Sequence, residues 1–82
     1  MLTMTHDAEA DAVYITLRGA PYAYGDDLDC SRRVDFSADG QPVGIELLDV
    51  SRGVNVTDLP DQVAVGRLLE RNGIRLMVTH ER

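Results

Sequence analysis

The sequence has no lysine and no tryptophan, a single cysteine and a single phenylalanine, and no apolar run longer than a few residues. The lone Cys30 excludes an internal disulfide. The short apolar runs exclude a membrane-spanning helix, which needs ~20 consecutive apolar residues. The opening Met1-Leu2-Thr3-Met4-Thr5 has neither the basic nor the apolar region of a secretory signal. Together these absences lead to the expectation of a cytoplasmic protein. Catalytic signatures are missing as well. The glycines are scattered rather than set at phosphate-loop or dinucleotide spacing, and CxxC, HExxH and GxSxG do not occur. His6 and His80 each stand near a terminus, and no motif places a serine or Cys30 beside either. No catalytic residue and no cofactor are therefore expected.

What is present describes a small folded domain. The 82 residues are 44% hydrophobic and 27% charged, near globular averages, and span one domain. A chain this short buries only roughly 60–65% of its unfolded surface, so pairing with a copy or a partner helps it. Fourteen acids against eight arginines give a net charge of -6. Residues 1–40 hold eight acids and three arginines; residues 41–82 hold six and five. Such a chain is repelled by phosphate backbones, so nucleic acid is not an expected partner and neither is a membrane. The acidic stretch 7–29 suits a basic protein instead.

Patterning predicts an α+β fold: a small antiparallel sheet, a meander of about five to six strands, with one C-terminal helix on one face. Leu2–His6 and Val13–Leu17 alternate as strands joined by a turn. Gly19-Ala20-Pro21 breaks the second, and Tyr22–Tyr24 follows as a short edge strand closed by Gly25 and acids. Arg33–Ser37 and Val43–Leu47 flank the hairpin signal Asp39-Gly40. Keeping Val34 and Phe36 on the face of Val43 and Ile45 requires an even loop, of two residues at Asp39-Gly40 or of four over Ser37–Gly40. The two-residue loop pairs Phe36 with Val43, Val34 with Ile45 and Arg33 with Glu46. A helix is expected over about 60–72, with Asp58 as its cap, an apolar stripe of Ala64, Val65, Leu68 and Leu69, and Asn72-Gly73 as its stop. A last strand is expected over about 74–79. Val13, Ile15, Leu17, Val34, Phe36, Val43, Ile45 and Leu47 form the expected buried face.

The candidate sites are few. Arg32 and Arg33 follow Cys30 and favour a thiolate, but Asp26, Asp27 and Asp29 oppose it, so a plain free thiol is expected. Asp7-x-Glu9-x-Asp11 opens like a calcium loop, yet Ala12 stands where glycine is required and Arg18 where the bidentate glutamate belongs. Only a looser metal site remains open, formed if Asp7, Glu9 and Asp11 meet Asp26, Asp27 and Asp29 in space.

The motif order resembles a known family. Asp7-Ala8-Glu9-Ala10-Asp11-Ala12-Val13-Tyr14-Ile15-Thr16-Leu17, then Val34–Leu48 and Val50-Ser51-Arg52-Gly53-Val54, are similar to the small prokaryotic family of domain of unknown function 2283. The resemblance covers about residues 5–54. It implies a sheet-based bacterial domain with no established activity or catalytic residues, and it raises an antitoxin-like role. The first functional expectation is a non-catalytic protein-interaction or self-associating module. It would act as a homodimer or with a small basic protein, through Tyr14, Thr16, Glu46 and Leu48 on the outer sheet face. Pairing across a two-fold axis through the Tyr22–Tyr24 edge or the last strand is the other route to a dimer. The alternative is a small metal-dependent hydrolase using the acidic cluster, which divalent cations would stabilise against melting.

Overall fold

A computed structural model describes residues 2–77 of the chain. Five strands form one antiparallel sheet: β1 (Thr3–Asp7), β2 (Ala12–Thr16), β3 (Tyr24–Asp27), β4 (Arg32–Phe36) and β5 (Pro42–Leu48). A 3₁₀ turn at Val50–Arg52 and one helix, α1 (Gln62–Arg71), follow. The expected α+β arrangement with a C-terminal helix is therefore what is found.

The strand order is β1-β2-β5-β4-β3, a Greek-key order rather than the expected sequential meander. The reason is apolar content. β2 and β5 each present a row of branched apolar side chains and take inner places. β3 reads Tyr24-Gly25-Asp26-Asp27, and placing it beside β2 would bury aspartates. The segment 17–23 instead carries the chain past the β4–β5 turn to the far edge.

The core lies on one face. Ile15 opposes Ile45 and Val13 opposes Leu47 across β2 and β5. Val65 and Leu69 of α1 close over the same cluster, joined by Val50, Val54, Leu59 and Ile74. Val34 and Val43 are buried as expected, but Phe36 is only half-buried and stacks on Tyr24 at 5.2 Å between ring centroids.

The β4–β5 register explains part of this. Arg33 faces Glu46 and Val34 faces Ile45, as expected, but Phe36 faces Pro42 rather than Val43. The connection is a three-residue loop: Ser37 and Gln41 pair, the Gly40 amide donates to the Ser37 carbonyl, and Gly40 sits at φ 83. An odd loop flips parity, and a one-residue bulge beside Phe36 restores it before Gly44.

The helix does not begin at Asp58. That residue lies in a turn at φ 68, after which Leu59 drops into the core, and the cap position falls to Asp61. Asp61 itself is left-handed at φ 55 and makes no side-chain capping bond. The stop is as expected. The Gly73 amide donates to Glu70 and that of Ile74 to Leu69, a Schellman pair sealed by the buried Leu69 and Ile74. Beyond it Leu76 makes one parallel bridge to Val54. Residues 78–79 of the expected last strand, with His80 and Arg82, lie outside the described residues.

Candidate functional site: the open face of the sheet

The face opposite α1 is built from the alternate residues of the same strands. The register puts Thr5, Tyr14, Glu46, Arg33 and Asp27 in one row across the sheet, and Thr3, Thr16, Gly44, Asp35 and Gly25 in the next. Tyr14 reaches diagonally between the rows, and its hydroxyl donates to Asp35 Oδ2 at 2.8 Å. Arg33 Nε donates to the other oxygen, Oδ1, at 3.3 Å, and Arg33 Nη2 donates to the Tyr22 hydroxyl at 3.1 Å. Asp27 lies 3.7 Å from Arg33 Nη1. One carboxylate thus fixes both an aromatic ring and a guanidinium.

Two glycines make room for this network. A Cβ added to Gly44 would collide with the hydroxyl and ring of Tyr14, and one added to Gly25 with the guanidinium of Arg33. Glycine inside a strand weakens it, so its presence marks a close approach. Here the approach is by a side chain from a neighbouring strand. Partial burial, then the hydrogen bond to Asp35 and its charge, push the Tyr14 phenol up to about 12. Tyr14 therefore stays neutral and acts as a donor at any ordinary pH.

All four residues expected at an interface sit on this face. Tyr14 faces Glu46, Thr16 faces Gly44, and Leu48 faces Ala12 at the end of β5, partly exposed. Asp35, Arg33, Tyr22, Gly25 and Gly44 were not among the expected site residues. The glycine within the Val43–Leu47 apolar alternation was the one sequence signal for them.

The acids of the calcium-like stretch and of the β3 edge form two separate groups. Asp7, Glu9 and Asp11 belong to the β1–β2 hairpin, whereas Asp26, Asp27 and Asp29 belong to the opposite edge. With neighbouring strands ~4.8 Å apart, β1 and β3 stand roughly 19 Å from each other, so the two groups do not meet. Several of these acids have a local use. Asp7 accepts from the Ala10 amide, and Asp11 accepts from both the amide and the hydroxyl of Ser51 at 2.9 and 2.7 Å. Asp29 accepts from the Ser31 amide and Arg32 Nε, which together hold its carboxyl below the usual range. Among the described residues, no three of His, Cys, Asp and Glu converge on a metal-sized position.

Cys30 is exposed, 3.8 Å from the Ser31 hydroxyl. The arginines beside it in sequence are occupied. Arg33 serves the open face, and Arg32 Nη1 donates to the carbonyls of Asn55 and Thr57 at 2.9 and 2.7 Å. Arg32 borders a hollow of about 370 Å³, with Leu47, Val54 and Met77 among its apolar walls. Among the described residues, no helix is long and apolar enough to cross a membrane.

Residues 3–51, the whole sheet and the start of the turn after it, match the family model described as protein of unknown function (DUF2283), and the chain belongs to that family. No curated protein and no solved structure matches it.

Proposed function

We propose that this chain is a non-catalytic protein-interaction module whose contact surface is the open sheet face, with Tyr14 as its anchor. One observation carries the reading: Tyr14 is held in a single orientation by Asp35 over the Gly44 backbone, on the face that α1 leaves uncovered. A rigid aromatic with a polar tip loses little conformational entropy on binding. The charge of the face selects the partner. Asp7, Asp27, Asp35 and Glu46 share it with one cation, Arg33, among the described strand residues. A basic protein surface complements that balance, and a second copy of the same face opposes it.

The test is capture from native cell extract with three baits: the natural protein, Tyr14→Ala and Glu46→Arg, each first shown to melt cooperatively. The expected result is a basic partner retained by the natural chain and lost from both variants. Retention by all three would remove this face from consideration. Melting with millimolar Mg²⁺, Ca²⁺ or Mn²⁺ adds a second arm. No shift is expected, and a clear rise would turn attention to a metal-dependent activity.

A further inference from the structure

The two edges of the sheet differ in a way that bears on self-association. β3 carries the devices by which edges avoid one another: it is four residues long, Pro21 precedes it, and it ends in Asp26 and Asp27. β1 carries none of them before Asp7. Thr3-Met4-Thr5-His6 has no proline, no bulge and no acid or arginine, and no strand lies on its outer side among the described residues. Leu2 and Met4 pack against the core while remaining half-exposed, so the core runs out along this edge unfinished.

We propose that two copies of the chain join edge to edge through β1, in antiparallel pairing about a two-fold axis at Met4. Antiparallel self-pairing satisfies the outward backbone groups of both strands and generates one ten-stranded sheet. In this register Met4 meets Met4 of the second copy on the core side, closing the gap there. Thr3 meets Thr5 of the second copy on the open side, a favourable β-branched, hydroxyl-bearing pair. Self-complementarity argues for a second copy as the occupant, since one register closes the half-exposed Met4 edge and pairs Thr3 with Thr5 twice. Two molecules of net charge -6 repel, and Leu2–His6 offers an approach without acid or arginine, whereas the open face would bring like charges together. An axis perpendicular to the sheet leaves both open faces on the same side. The dimer interface and the partner surface proposed above are thus separate, and either can fail without the other.

The experiment is sedimentation of the full chain from micromolar to millimolar concentration. The natural protein is expected to be a dimer. Thr3→Lys/Thr5→Lys places two lysine pairs across the axis and is expected to raise the dissociation constant at least ~10-fold. Thr3→Glu/Thr5→Glu is expected to do the same, and mixing the two variants is expected to restore a dimer, which shows that both are folded. Independently of any variant, amides within Thr3–His6 should gain hydrogen-exchange protection as concentration rises. A natural protein that stays monomeric at millimolar concentration overturns the proposal. So does a dimer that the lysine variant leaves intact, or one that Glu46→Arg dissolves, since the copies would then meet through the open face.

Discussion

On the side of the sheet that α1 covers, Ile15 and Ile45 face each other with 0% of their surface exposed. One residue further along the same two strands, on the other side, Tyr14 lies across Gly44 and bonds to Asp35. The strands are shared, yet the two faces are specified by different physics. The covered face is set by volume and exclusion of water, which any set of branched apolar residues of the right size satisfies. The open face is set by directional bonds and by the absence of a Cβ at two places, and it is intolerant in other ways. Among the described residues no second layer covers it, so the ordering of Tyr14 and Arg33 there is not explained by the core.

That contrast is testable, and its largest expected effect is on the covered face. Ile45→Ala removes a fully buried side chain at the centre of the sheet and should cost about 2–5 kcal/mol by denaturant titration. Phe36→Ala tests where the covered face ends. A core phenylalanine would cost about 3–5 kcal/mol, but Phe36 lies beside the bulge, half-buried, with the exposed Tyr24 as its stacking partner. About 1–3 kcal/mol is expected, from partial burial plus the stack. A loss as large as that of Ile45→Ala would show the core extending to this edge.

Much of the covered face was legible in the sequence, because a period of two on strands and a helical stripe on residues 64–69 both report burial directly. The Schellman stop was legible for the same kind of reason: Asn72-Gly73 is local chemistry. Strand order was not legible from alternation, although the acids of β3 are a signal against an inner place. The Asp58 cap failed because burying Leu59 delays the helix, a tertiary demand no capping rule contains. Loop length was not legible from parity, because the bulge beside Phe36 absorbs the odd residue. On the open face, Tyr14, Thr16, Glu46 and Leu48 were legible from alternation alone. Arg33 was legible there too, opposite Glu46; the bonds that join Tyr14, Asp35, Arg33 and Tyr22 were not, since they link residues up to 21 apart and exist only once the register is known.

Gly44→Ala sharpens the comparison from the open side. The added methyl displaces the Tyr14 ring and breaks its bond to Asp35, while the core behind is untouched. A cost of about 1–2 kcal/mol is expected, together with a fall of the Tyr14 phenol from about 12 toward its ordinary value. An ultraviolet titration resolving the Tyr14 phenolate reads the second effect. An unchanged Tyr14 titration would show that Gly44 is not what seats the ring.

The smallest expected effect isolates the single bond on which the open face turns. Tyr14→Phe keeps the ring and deletes only the donor to Asp35. Asp35 retains Arg33 as a partner, so the cost at neutral pH should be about 0.5–1 kcal/mol. Its pH dependence is more telling than its size. The folded-state phenol is raised to about 12 against an ordinary 10.0. Below pH 10 the group is neutral in both states, and its contribution to stability is fully present. As pH climbs from 10 to 12 the unfolded chain releases this proton first, so stability is lost across that window. The Tyr14→Phe variant has no proton to release at this position and escapes that part of the loss. The natural protein should therefore be the more stable of the two at pH 7, with the gap narrowing above pH 10. Parallel curves through that window would mean that the folded chain does not raise the Tyr14 phenol at all, neither by burial nor by the bond to Asp35.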